Sequence, residues 1–308
     1  MESTRHHRGK HRMTARPRSL FGRLALVVPV LSLAAVPAIT GVTGSSAAAA
    51  GPKIYFGIDG SASNLAPMSV HVYSQINRKV PDANARMITM GTGGVHWAAL
   101  AAAEPGSQTY SNLARWADTL KTRSGPIFLT VAHEPEASGQ KAYGSAAQYQ
   151  AAFRHVVSIF RARGVKNVQW TWQMTAYSFH VKSSDPRAAI KWYPGDAYVD
   201  DVGADGYNWS GCRHTPVQQI SDIAAPVVAF ARAHGKGVVL PEFGDGIGPT
   251  RAQWLANAKA YFIANINTIR AAYYFDHAES WAGCSWIINN PTDVAALNSI
   301  AHDPHFTS

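Results

Sequence analysis

The sequence predicts a single (β/α)8 barrel, an α/β fold of the TIM class, and three observations carry that prediction. Beyond residue 50, short apolar runs alternate with amphipathic stretches of helical period. Strands that read as continuous apolar runs are buried on both faces, as in a parallel sheet sheathed by helices. Residues 51–308 also match the length that eight βα units require.

In chain order, the strand-like runs are Ile54–Ile58, Arg86–Met90, Ile127–Ala132, Val168–Gln173, Val202–Gly206, Val238–Leu240 and Ala271–Phe275. An eighth is placed at Trp97–Ala103, followed by a helix over Tyr110–Thr122. Further helical patterns cover Ala146–Arg163, Ile220–His234 and Trp254–Ile266. Gly164 and Gly235 stand where the first two should end. An open, doubly wound sheet is the structural alternative, yet no G-x-G-x-x-G follows the first strand. The run Gly91-Thr-Gly-Gly94 lacks the lysine of a phosphate loop and reads as a turn.

Residues 1–50 read as a secretory leader. A basic region from Arg5 to Arg23 precedes a charge-free stretch from Leu24, which ends in Ser45-Ser-Ala-Ala-Ala-Ala50. Cleavage is expected near Ala50, giving an extracellular protein. A retained membrane anchor is the alternative, against which Pro29, Pro37 and Gly41 argue. The leader holds seven of the 28 basic residues and one of the 19 acidic ones. The remainder is thus close to neutral, and no basic stripe suggests nucleic-acid binding. The expected layout is a leader over 1–50 and one catalytic domain over 51–308, acting as a monomer. Cys212 and Cys284 are the two cysteines, and in an oxidising compartment they allow one disulfide. They are too few and too far apart for a zinc site.

In a barrel, chemistry sits where the strands end, on the βα loops. Five glutamates follow the leader, and two of them stand at such ends: Glu134 after Ile127–His133, and Glu242 after Val238–Pro241. By strand count these are the fourth and seventh strands. Two carboxylates converging on one open face are the minimal apparatus of a retaining glycosidase, one protonating the leaving oxygen and the other attacking the anomeric carbon. Each alone could instead cap a helix or anchor a loop. Glu136, two residues beyond Glu134, competes for the acid role, because a period of two keeps both on one face of extended chain.

Three strings resemble glycoside hydrolase family 26, the mannanase-like group of retaining barrels. They are His133-Glu134, the long run Trp192-Tyr-Pro-Gly-Asp-Ala-Tyr-Val-Asp-Asp-Val-Gly-Ala-Asp-Gly-Tyr-Asn208, and Pro241-Glu242-Phe-Gly244. The resemblance covers about residues 127–245, and the ending Trp286 to Phe306 is similar too. It implies that Glu134 is the acid/base, Glu242 the nucleophile, and Tyr207 a hydrogen-bond donor to that nucleophile. The acid role would require a raised pKa for Glu134. One departure is local. Family mannanases continue after the acid with an aromatic string containing Trp, where this chain has Pro135-Glu136-Ala-Ser-Gly139.

Sugars stack apolar C–H faces on aromatic rings, so Trp172, Trp209 and Trp281 are expected to bind substrate, along with His133 and Tyr207. Trp286 falls in the same region, whereas Trp116 and Trp254 sit in helical patterns and are expected in the core. Asp196, Asp200, Asp201 and Asp205 lack the ligand spacing of a calcium loop and read as solvated loop acids, while Asp205 also faces the same rim as Tyr207, or else binds backbone amides in its loop. Asn208-Trp-Ser210 matches a glycosylation acceptor. The reading is a secreted retaining endo-β-glycosidase, without metal or cofactor, on a polysaccharide. β-Mannan is the first choice. Xylan or β-glucan as substrate, and a non-catalytic carbohydrate-binding barrel, are the alternatives.

Overall fold

The computed structural model describes residues 51–60, 65–82, 84–213, 215–279 and 283–308. The predicted leader and Trp281 lie outside these residues. Eight parallel strands form the barrel: β1 (Ile54–Asp59), β2 (Ser69–Gln75), β3 (Ala85–Gly91), β4 (Ile127–Val131), β5 (Val168–Thr175), β6 (Asp201–Asn208), β7 (Gly237–Asp245) and β8 (Ile269–Phe275). Each pairs with the next, and β8 returns to pair with β1 through Tyr55–Asp59 against Ala271–Phe275, which closes the sheet. Residues 306–307 add a short parallel segment beside β1.

Helices α1 (Trp97–Ala101), α2 (Gln108–Lys121), α3 (Ala146–Ala162), α4 (Tyr177–His180), α5 (Ser210–Arg213), α6 (Ile220–Ala233), α7 (Arg251–Ala264) and α8 (Pro291–Ala301) occupy the connections. Ser145 begins α3 with a capping box: its hydroxyl accepts from the Gln148 amide while the Gln148 side chain accepts from its own. Gly164 and Gly235, just past α3 and α6, have φ of 78° and 65°, the left-handed conformation that lets a chain leave a helix without strain.

Two apolar layers result. Met87, Phe128, Val239, Ala271 and Tyr273 fill the barrel interior. A larger cluster packs the outer face of the sheet against the helices and includes Trp116 and Trp254 as expected.

The eighth strand is not at Trp97–Ala103. That segment is Ala-rich, which favours helix, and α1 buries Trp97 and Leu100 three residues apart, with Trp97 against the rings of Tyr149 and Trp192. The strand is β2 instead. Its sequence Ser-Val-His-Val-Tyr-Ser-Gln alternates polar and apolar side chains rather than running apolar throughout, and among the described residues no helix separates it from β1 or β3. Because β2 also precedes β3, β4 and β7 keep their predicted ranks.

Two of the four acids before and within β6 are buried rather than solvated, and Asp205 does face the rim. Asp205 points into the site described below. Asp201 begins β6 at 1% exposure, with neither oxygen hydrogen-bonded and Arg270 Nε 3.6 Å away. Asn208 is not a glycosylation acceptor in this fold: it is buried, and its amide donates to Asp245 Oδ1 at 2.7 Å. Among the described residues, no helix is long and apolar enough to cross a membrane.

Candidate active site

A cleft of about 890 Å³ opens where the strands end. Glu134, His133, Tyr207, Trp209 and Glu242 all line it, as does Tyr73, which the sequence reading missed along with β2.

Glu242 lies in β7 and is 7% exposed. Its Oε1 accepts from the Tyr73 hydroxyl of β2, and its Oε2 from the Tyr207 hydroxyl of β6. Both phenols are pushed well above their usual pKa, first by burial and then by the Glu242 charge, so they stay protonated as donors. Directly behind, His71 fixes the backbone of β7. Burial lowers its pKa to about 3 and keeps the ring neutral. Its Nδ1 donates to the Pro241 carbonyl at 3.1 Å, which leaves Nε2 to accept from Thr89 Oγ1 at 2.9 Å.

Glu134 reaches the mouth by an unusual route. At the end of β4, Ala132 and Glu134 have φ of 51° and 47°. Left-handed backbone costs a residue other than glycine on the order of 1 kcal/mol. The Glu134 amide donates to the Gln173 carbonyl of β5 at 3.1 Å, which pins the turn to its neighbour. His133 is half-buried with its ring edge-on to Tyr73 at 5.3 Å, and burial lowers its pKa.

Between the two glutamates, Asp205 accepts from Gln173 Nε2 on both oxygens, at 2.9 and 2.8 Å. Burial holds its pKa well above the carboxylate range, and the charges of Glu242 and Glu134 push the same way. Asp205 therefore tends to keep a proton, which limits the negative charge beside Glu242.

Glu136 does not compete with Glu134. It is 3% exposed, and its Oε1 accepts from the Thr175 amide at 2.7 Å, the Thr175 hydroxyl at 2.6 Å and the Ser178 hydroxyl at 2.7 Å. The left-handed turn at Glu134 breaks the period-two alternation that would have put both on one face. Glu136→Ala leaves those three donors without their acceptor. A loss of about 2–3 kcal/mol of stability is expected, read as a lowered Tm, with slow and activated substrates affected alike. A selective loss on poor leaving groups would instead return the acid role to Glu136.

Trp172 is not a sugar platform. It is fully buried on the outer face of β5, packed against Tyr193 at 4.9 Å, Phe230 at 5.8 Å and Phe179 at 5.9 Å, while its neighbours Gln173 and Thr175 turn inward. Trp209 is half-buried on the rim, with Trp286 perpendicular to it at 4.9 Å and forming the wall behind Tyr207. The disulfide joins Cys212 of α5 to Cys284, in a two-residue strand paired with Ala278–Glu279. It ties the loop after β6 to the one after β8, across β7.

Asp59, His71 and Glu242 come within 4.8 Å of one another through atoms that could ligate a metal. Nδ1 of His71 donates to the Pro241 carbonyl and Nε2 accepts from Thr89, so in this arrangement the imidazole has no free lone pair to offer an ion.

With this geometry in place, the comparison with known proteins decides the family. The sequence profile of Glycosyl hydrolase family 26 matches residues 106–261, half of the chain. The chain belongs to glycosyl hydrolase family 26. Endoglucanase H of Acetivibrio thermocellus is 29% identical over 194 residues, which are 60% of this chain and 21% of that one. The chain thus spans about a fifth of that relative's length. Among solved structures, a family 26 β-mannanase from Bacteroides ovatus superposes with a TM-score of 0.55 at 17% identity, over 83% of this chain and 90% of that one. An endo-β-1,4-glucanase from Xanthomonas axonopodis pv. citri gives 0.52 at 12% identity, over 80% and 98%. At these identities the two structures bear on the fold, and the family 26 match rests on the sequence.

The buried acids also set a pH dependence. Burial raises Asp59 to about 6, Asp245 to about 6 and Asp201 to about 7. Between about pH 4 and these values the folded chain holds protons that the unfolded chain has released. This contribution to stability is full at low pH and lost as pH rises through 6 to 7. His71 opposes it, since the unfolded imidazole gains a proton below about 6.5 and the folded one does not. Burial lowers His133 as it does His71, and it raises Asp205 and Glu136 as well, so five carboxylates outweigh two histidines and Tm should be higher at pH 5.5 than at pH 8. A Tm that rises over that interval would contradict these assignments.

Proposed function

We propose that this protein is a secreted, endo-acting β-glycosidase that hydrolyses a polysaccharide with retention of configuration. One observation carries the reading: Glu134 at the end of β4 and Glu242 in β7 line one open cleft, and two tyrosine hydroxyls donate to the Glu242 carboxyl group and fix its orientation. In the first step Glu134 gives its proton to the glycosidic oxygen as the bond to the anomeric carbon breaks. Glu242 attacks that carbon from the opposite face and forms a glycosyl ester. In the second step Glu134, now a carboxylate, takes a proton from water, whose oxygen displaces Glu242. Two inversions leave the original configuration. The protein supplies the acid, the nucleophile and the dipoles that steady it, which is the preorganised electrostatics such a reaction needs.

A cleft of this size is at the upper end of ligand sites, and it opens along the strand ends, which suits attack within a chain. β-Mannan remains the first choice of backbone. The segment after Glu134, which carries no tryptophan, and the endoglucanase name of the Acetivibrio thermocellus relative keep β-glucan as the second. Export is supported by the basic-then-apolar order of residues 1–50. A panel of dyed β-mannan, β-glucan and xylan tests the activity. Release of reducing sugar with a rapid fall in polymer length is expected from one of them, and tight binding without release would mark a carbohydrate-binding barrel instead.

A further inference from the structure

The rim of the cleft beside β5 and β6 carries two guanidinium groups, each lying over an aromatic ring. Arg187, in the connection before β6, has its Cζ 3.9 Å from the centroid of the Tyr177 ring. Arg213, at the end of α5, has its Cζ 3.9 Å from the centroid of the Trp209 ring. All four residues line the same cleft, and both arginines are exposed. A guanidinium stacked on a ring gives its face to the ring and keeps its N–H donors along its edge, in a fork that matches a carboxylate. The stack also limits the rotamers of the side chain, so less freedom is lost on binding. Arg187 pairs loosely with Asp185, whose Oδ1 is 3.8 Å from its Nε, a surface contact that a ligand can displace.

The guanidinium groups of the cleft are therefore gathered on one side, apart from its carboxyl groups. Its floor holds Glu134, Asp205 and Glu242, and this rim holds Arg187 and Arg213. A neutral glycan presents hydroxyls and C–H faces, for which rings and small polar groups suffice. Two ring-mounted arginines on one side suit a sugar that carries a negative charge away from the bond being broken. We infer that this side of the cleft selects an acidic glycan, with Arg187 and Arg213 as specificity residues that pair with a carboxylate on a sugar ring. The inference rests on the cleft being a glycan site, as proposed above.

The test uses the full chain with Glu242→Gln, which prevents turnover. β-1,4-Mannan and β-1,4-glucan oligosaccharides are titrated by calorimetry, each in native form and with primary hydroxyls oxidised to carboxylates. One oxidised form should bind about tenfold tighter than its native parent at low salt, as expected for a charge-assisted pair, and the advantage should shrink as salt is added. Adding Arg187→Gln and Arg213→Gln should remove it at unchanged Tm. Equal affinity for both forms, or a preference that survives in that variant, overturns the inference. Sugar release by the unmutated chain is measured in parallel. Hydrolysis without preference for the oxidised form overturns this inference alone. Preference without hydrolysis of any glycan supports it and overturns the proposed activity, and binding to neither form overturns both.

Discussion

Replacing Glu242 with glutamine is expected to lower kcat on the preferred glycan by on the order of 10⁴-fold or more, while Tm changes little. The amide has the shape of the carboxylate, and the hydroxyls of Tyr73 and Tyr207 can rotate to meet either of its terminal atoms, so the hydrogen-bonded cradle survives. The amide cannot form the glycosyl ester, and without that intermediate the two-step route is closed. KM should move far less than kcat, since the cleft keeps its shape. Retention of a tenth or more of the activity would remove Glu242 from the nucleophile's role.

Glu134→Ala should lower kcat on polysaccharide by about 10²–10⁴-fold, the range that proton transfer by a placed side chain supplies. The loss should depend on the leaving group. An aryl glycoside with an acidic phenol departs without a proton, so its first step should run nearly unimpaired and the glycosyl–enzyme should accumulate. Azide needs no base to attack that intermediate, and adding it should speed turnover and yield a β-glycosyl azide. Equal losses on activated and unactivated substrates would show that Glu134 is not the proton donor.

Much of the barrel was legible because most of its strands are buried on both faces and are rich in apolar, β-branched and aromatic residues. β2 was not, and its composition explains the largest gap in the site. His71 and Tyr73 turn inward to hold Glu242 and its backbone, so the strand carries polar residues there. Unlike β5, which alternates but is almost wholly buried, it is part-exposed toward its end. The Val-His-Val-Tyr alternation was the available signal. Glu134 and Glu242 could be found because they directly follow apolar runs. Separating Glu134 from Glu136 required the left-handed turn at the end of β4, which no residue type announces. Trp172 was misplaced for a related reason: in a strand buried on both faces, composition does not say which face a tryptophan takes, and here it faces the helices.

Acid/base action by Glu134 and nucleophilic attack by Glu242 together require a double displacement, and a double displacement fixes the stereochemistry of the product. Proton NMR of a β-linked oligosaccharide during its first minutes of cleavage tests this most directly, because the anomeric protons of the new reducing end are read before mutarotation mixes them. The β-anomer should appear first and the α-anomer grow in only as mutarotation proceeds. If the α-anomer appears first, water has attacked the glycan directly, Glu242 is a base and not a nucleophile, and the double displacement is wrong.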